Sequence, residues 1–320
     1  FEFPLEPRFL AVAPISHVTG TNVVPTFLRG GSVHLMEKYD IERMAQIIKR
    51  EKINFMMMVP TMIYALLDHP RIAEFDLSSL ELLLYAGSPM SRSRLKEGVE
   101  KLGSIFSQSY GQSECFPITL LRKEHHDLLR PERLESCGFP VSACEVRLLD
   151  EKNNDVPQGK PGEICVRGPA VMQGYWRQPE LTREVLVDGW LHTGDIAYAD
   201  AQGFLYIVDR KKDMIVSGGF NVYPREVEEA LYSHPAVSNC AVIGTPDVKW
   251  GEAVTALVVL RQGYATRPEE LIAHVKEVKG SVLTPKRLDI VEKLPLTALG
   301  KIDKKVIRAN YWSGQTRHVG

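Results

Sequence analysis

No stretch of this sequence is apolar for long enough to cross a bilayer. The strongest candidate, residues 55–67, is broken by Pro60 and Thr61 and falls well short of the roughly 20 residues a spanning helix needs. Net charge is also missing: the 320 residues carry a formal −1 with both signs interspersed, which argues against nucleic acid as a partner and confines anion binding to a local site. Cys115, Cys137, Cys144, Cys165 and Cys240 form no CxxC pair, and an odd set cannot pair completely, so reduced thiols and a cytoplasmic location are expected. The sequence opens on Phe1 without an initiator Met, and its first residues lack the charged start, apolar run and cleavage site of a secretory signal. A fragment of a longer protein is the expectation.

What is present is enough chain for about two domains. From Arg8 to Gly111, apolar runs (FLAVAP, SVHLM, NFMMMV, ELLLYA, SIFSQS) alternate with segments of helical period (DIERMAQIIKRE, TMIYALLDH, SRSRLKEGVEKLG). That alternation predicts a parallel sheet with crossover helices, an α/β architecture. Between Pro140 and Asp209 the texture changes to short strands (CEVRLLD, GEICVRG, GFLYIVD) separated by Gly and Pro, which predicts a small β-barrel or sandwich. After Asp209, PREVEEALYSHP and RPEELIAHVKEVKG read as helices and SNCAVIG, AVTALVVL and RLDIVEK as strands, a compact α+β unit. The charge cluster Arg210–Asp213 resists burial and is a reasonable link between the two.

The densest chemistry lies in the stretch that begins at Asp188, DGWLHTGDIAYADAQGFLYIVDRKKDMIVSGGFNVYPREVE. Asp195 can accept hydrogen bonds from two neighbouring sugar hydroxyls, and Arg210 offers a planar fork of donors to ribose or phosphate oxygens. SYGQSE follows a predicted strand, where open α/β sheets bind ligands. Tyr110 could stack on a base, Gly111 admits close backbone approach, Ser113 could bond phosphate and Glu114 could hold Mg²⁺. Taken alone, the same six residues also fit a strand-end turn with a packed Tyr and a solvated Glu. AGSP, with Gly87 and Ser88, and PISHVTG, with His17, sit at two other strand exits, and each alone also reads as an ordinary loop. Lys301, in PLTALGKIDKK, rides a glycine turn from which its ammonium could swing into a cleft, or it is one more solvated lysine.

In order along the chain, PISHVTG, AGSP, SYGQSE, GEICVRGPAVMQGYW, GWLHTGD, DRKKDMIVSGGFNVYPREVE and PLTALGKIDKK closely resemble the acyl- and aryl-CoA synthetases of the adenylate-forming superfamily. That superfamily also includes peptide-synthetase adenylation domains and beetle luciferases. The resemblance covers nearly the whole chain, and SGGFNVYPREVEEAL looks most like bacterial fatty-acyl-CoA ligases. It implies a fold: residues 1–209 as the C-terminal part of a large αβα domain (α/β over 1–132, β-barrel-like over 133–209), a hinge at 210–213, and a small mobile α+β domain over 214–320. It also implies an activity, in which a carboxylic acid reacts with ATP to give acyl-adenylate and pyrophosphate, and the acyl group then passes to the thiol of CoA.

Carried over by motif, the resemblance implies that Tyr110 stacks on adenine, Gly87 and Ser88 line its pocket, Asp195 holds the ribose and Arg210 assists. Ser113 and Glu114 meet phosphate and Mg²⁺, with Gly111 beside them, and His17 stands between the carboxylate site and the acyl channel. Lys301 contacts the reacting carboxylate and α-phosphate. Rotation about Lys212 withdraws it and brings forward Gly218 and Gly219, past which pantetheine threads. Two departures are visible. Val216 and Gly218 replace lysines of plant coumarate ligases and luciferases, which weakens an aryl assignment. The family's phosphate loop, a Ser/Thr/Gly-rich stretch before Pro-Lys-Gly, should precede PISHVTG and does not, so these residues alone are expected to adenylate poorly. Exposed sheet edges would then favour homo-oligomers. An adenylation domain serving a carrier protein and a noncatalytic nucleotide- or acyl-binding module are the competing readings.

Overall fold

The computed structural model describes residues 2–312. Phe1 and residues 313–320, at the two ends of the expected domain ranges, lie outside the described residues. The chain forms two compact units. The first runs to Cys144 and includes Pro169–Met172 and Ala298–Lys301, and the second comprises Glu145–Gly168, Gln173–Thr297 and the residues from Ile302 onward.

In the first unit, in chain order, are β1 (Arg8–Ala11), α1 (Val23–Leu28), β2 (Ser32–Leu35), α2 (Ile41–Glu51), β3 (Phe55–Met58), α3 (Pro60–Leu67), β4 (Leu82–Ala86), α4 (Arg92–Leu102), β5 (Phe106–Gln112), β6 (Cys115–Leu121) and β7 (Phe139–Pro140). They build a seven-stranded sheet ordered β2-β1-β3-β4-β5-β6-β7. The strands from β1 to β5 pair in parallel, and β6 and β7 return antiparallel. Every residue of β3 and β4 is buried, as unbroken apolar runs require in a sheet covered on both faces. Phe9, Phe55, Met57, Leu82 and Leu84 form one core cluster, with Phe9 stacked on Phe55 at 4.7 Å. The helices start where the sequence supplies caps: the Asp40 carboxylate accepts from Arg43 N at 2.8 Å, and Ser91 Oγ from Arg94 N at 3.3 Å. Because β1 is flanked by β2 on one side and β3 on the other, the strand order reverses there, and open α/β sheets bind ligands beyond the strands' carboxyl ends at such a point.

The second unit holds β8 (Glu145–Leu149), β9 (Gly162–Arg167), α5 (Pro179–Val185), β10 (Leu186–Val187), β11 (Trp190–Ala199), β12 (Leu205–Arg210), β13 (Ile215–Ser217), β14 (Phe220–Val222), α6 (Pro224–Tyr232), β15 (Val237–Asp247), β16 (Gly251–Leu260), α7 (Pro268–Lys279), β17 (Arg287–Ile290) and α8 (Lys304–Ala309). The expected β-rich region is a five-stranded antiparallel sheet, β10-β11-β9-β8 with β12 on β11. The α+β region is a second five-stranded sheet, β14-β13-β16-β15 with β17 parallel to β16. Side-chain alternation along β15 loads both faces: Cys240 and Val242 pack with α6 and α7, while Ala241 and Ile243 pack with Ile307 of α8. No helix among the described residues is long and apolar enough to cross a membrane.

Candidate active site

Three candidate segments of the first unit leave the sheet at its carboxyl edge. His17 follows β1 and is exposed, in a turn where Gly20 N donates to its carbonyl at 2.8 Å. Gly87 and Ser88 follow β4 and are also exposed. Gly87 has φ +89°, and a methyl group there would lie 2.6 Å from Lys301 Cε and 2.9 Å from its Nζ. The glycine therefore does two things: it permits the turn, and it clears the place the lysine occupies. Thr61 at the start of α3 donates its hydroxyl to the Gly300 carbonyl. Met62 and Val59 flank Gly300 at 3.5 Å from where its Cβ would be. The structure thus brings Lys301 together with Gly87 at the exits of β3 and β4. Thr61 is not a candidate from sequence, because a threonine in the first turn of a helix is ordinary.

SYGQSE is more regular than a strand-end turn. Ser109 to Gln112 continue β5, Ser113 and Glu114 make the turn, and β6 returns from Cys115 with Tyr110 opposite Thr119. The register shifts at Gly111, whose Cβ direction is filled by the Phe116 ring at 2.8 Å and the Cys115 carbonyl at 2.9 Å. The close backbone approach at this glycine is therefore the hairpin's own. Glu114 is anchored through its carbonyl, which accepts from Met172 N at 2.7 Å, while Cys115 bridges to Val171. The GPAVM segment supplies that anchor. Burial pushes the Cys115 thiol up to about 12, with Cys144 adding to the effect at 3.9 Å between sulfurs, so the residue after Glu114 is not a nucleophile at neutral pH.

In the second unit Asp195 and Arg210 sit directly opposite each other on β11 and β12, with Arg210 Nε donating to Asp195 Oδ1 at 3.2 Å. Asp195 is buried and Arg210 exposed. A bulge between His192 and Ile196 aims the carboxylate: Gly194 takes φ +73° and donates to Glu163 Oε1 at 2.9 Å, and Asp195 N donates to Thr193 Oγ1 at 3.1 Å. Lys212 lies in a 3-10 turn, Lys211–Asp213, and is exposed. Gly218 (φ +58°) and Gly219 (φ +81°) are the two turn residues of a hairpin, β13–β14. Trp250 forms the floor of this turn. Its carbonyl accepts from Gly218 N at 2.8 Å, and a Cβ on Gly218 would lie 2.6 Å from its ring, whereas nothing lies within 4 Å of one on Gly219.

The donor sets fit nucleotide and cation. Ser217 Oγ, at the end of β13, and Ser109 Oγ, on the face of β5 opposite to Tyr110, are buried without hydrogen-bond partners. Among the described residues no three His, Cys, Asp or Glu side chains cluster as a metal cage. A cation at Glu114 would share one carboxylate with phosphate oxygens and water, an arrangement that suits Mg²⁺.

Residues 1–176 match the family described as AMP-binding enzyme, and residues 226–301 match the AMP-binding enzyme C-terminal domain. Medium/long-chain-fatty-acid–CoA ligase FadD8 of Mycobacterium tuberculosis is 50% identical over 329 residues, covering 100% of this chain and 57% of the ligase. Feruloyl-CoA synthase of an Amycolatopsis species is 40% identical over 306 residues, covering 95% and 62%. Among solved structures, the amide bond synthetase McbA of Marinactinospora thermotolerans superposes with a TM-score of 0.89 at 38% identity, covering 96% of this chain and 62% of that one. The o-succinylbenzoate CoA synthetase MenE of Bacillus subtilis, solved with ATP and magnesium, gives 0.81 at 30% identity, covering 97% and 62%. The chain therefore spans about three fifths of the length of each of these four proteins. On the match over residues 1–176 and the sheet that carries it, this chain belongs to the AMP-binding enzyme family.

Proposed function

We propose that the whole protein activates a carboxylic acid, a fatty acid by preference, with ATP and transfers the acyl group to CoA. The observation that carries this reading is the lodging of Lys301 against Gly87 at the carboxyl edge of the parallel sheet. A fixed ammonium there would neutralise charge developing between the carboxylate and the α-phosphate, without reorganising at the moment of reaction. Tyr110, with Gly87 and Ser88, offers a stacking face and a shallow wall for adenine, and the paired Asp195 and Arg210 present acceptor and donors to the ribose. Ser113 would bond phosphate, Glu114 would hold Mg²⁺, and Mg²⁺ when bound screens the phosphate charge. His17, exposed beyond β1, would stand between the carboxylate and the acyl channel.

For the second half-reaction the chain would bend at Lys212, between residues 1–209 and the α+β domain that starts at 214. Lys301 leaves, and the Gly218–Gly219 turn comes forward with an open face on Gly219 for the narrow pantetheine arm. The fatty-acid preference is supported by the identity to a medium/long-chain ligase, the CoA acceptor by the names of both relatives. McbA, named for amide bonds, makes the acceptor worth assaying directly. In the whole protein, Lys301→Ala is expected to slow ATP–pyrophosphate exchange by about 10² or more while thioester formation from preformed acyl-adenylate stays within about threefold. Equal loss in both assays sinks the role of Lys301. Acyl transfer to a carrier protein or an amine, with CoA inert, sinks the CoA assignment.

A further inference from the structure

The turn that carries Lys212 is held from both sides. Upstream, Arg210 ends β12 and pairs with Asp195 on β11. Downstream, Asp213 Oδ1 accepts from Arg308 Nη1 at 2.6 Å, with the two side chains only 14% and 20% exposed. Between those ion pairs lie just Lys211 and Lys212, both exposed.

Arg308 belongs to a helix that is itself fixed. α8 is capped by Asp303, whose carboxylate accepts from Val306 N at 3.0 Å, and it buries Ile307 against Ala241, Ile243 and Leu294. One turn before Arg308, and therefore on the same face, Lys304 Nζ meets Glu228 Oε1 at 2.7 Å. That oxygen also accepts from Val242 N at 2.8 Å. Just beyond α8, Trp312 Nε1 donates to the Gly244 carbonyl at 2.9 Å. Helix α8 is thus bolted to α6 and β15, and it begins three residues after Lys301. The Arg308–Asp213 pair therefore fixes the downstream end of the turn to α8.

Resting on the roles proposed above for Lys212 and Lys301, we propose that Arg308 is a positioning residue for the Lys301 arm: through Asp213 it fastens the downstream side of the pivot to α8, so that bending at Lys212 carries the arm as one piece. An unfastened Asp213 would spread the bend over more residues and leave the ammonium misplaced in the adenylating arrangement.

Four variants test this: Arg308→Ala, Asp213→Asn, Arg308→Lys and the charge reversal Asp213→Arg/Arg308→Asp. The first readout, on the 320-residue chain, is the rate of trypsin cleavage after Arg210, Lys211 and Lys212, with circular dichroism confirming that each variant is folded. Arg308→Ala and Asp213→Asn are expected to be cut there about tenfold faster than the parent, and Arg308→Lys near the parental rate; the reversal adds a tryptic site at position 213 and is read instead by pyrophosphate exchange, which it should hold near the parental kcat. The second readout, on the whole protein, separates the half-reactions. Arg308→Ala should lose about tenfold in kcat for pyrophosphate exchange with KM for ATP little changed, while thioester formation from acyl-adenylate is spared. Unchanged cleavage in Arg308→Ala and Asp213→Asn overturns the clamp, and equal loss of both half-reactions reduces Arg308 to a structural residue and overturns its positioning role. If Lys301→Ala itself fails to separate the half-reactions, the assignment of Lys301 falls, and the cleavage rates still decide for or against the clamp.

Discussion

A single side chain sets an acid limit on the first unit. His126 is buried, donates Nδ1–H to the Arg122 carbonyl at 2.9 Å, and accepts from the Tyr85 hydroxyl through Nε2 at 3.0 Å. Burial pulls its pKa from the ordinary 6.5 down to about 4, with His125 nearby pushing the same way and the Arg122 carbonyl opposing. Between those values the unfolded chain takes up a proton that the folded chain refuses, so stability rises with pH across that window and is lost as pH falls through it. The folded state is expected to be about 3 kcal/mol less stable at pH 4 than at pH 7 on this account. Urea denaturation at the two pH values should show a smaller difference in His126→Gln than in the parent, and an identical difference would remove His126 as its source.

At the level of elements, the β13–β14 hairpin makes two adjacent glycines unequal. Gly219 needs its left-handed backbone only, so Gly219→Ala is expected to cost about 1 kcal/mol. Gly218 needs the backbone and the space against Trp250, whose ring is further held under Lys249 and Lys286, so Gly218→Ala should cost about 1–3 kcal/mol more. Thermal unfolding of the two variants gives the ranking, and the reverse order would refute the steric account. The same hairpin shows where sequence reading stops. Apolar runs such as NFMMMV and ELLLYA announce buried strands, and DIERMAQIIKRE announces its helix through both period and cap. Three-residue strands are too short to carry a period, so β13 and β14 are not legible as strands. Trp250 is invisible for another reason: nothing local to it says that its ring will lie under Gly218.

Over the whole molecule, the residue types of the candidate site are legible because ribose, phosphate and carboxylate chemistry each call for a narrow choice of side chain. Their supports are not. Thr61 reaches Gly300 across 239 positions, and Met172 reaches Glu114 from a different segment, contacts that exist only once the chain has folded. Residues 1–320 correspond to 57% of the length of FadD8, and we expect them alone to exchange pyrophosphate slower than the whole protein by about 10² or more. Equal rates per molecule would show that these residues suffice. The separation of Thr61 from Gly300 also bears on the order of events at the ribosome. All of the first unit except Ala298–Lys301 has been made once Met172 is added, and at 5–20 residues per second the last four residues follow roughly 6 to 25 seconds later. In a nascent chain the place beside Gly87 therefore stays vacant until synthesis delivers the lysine that fills it.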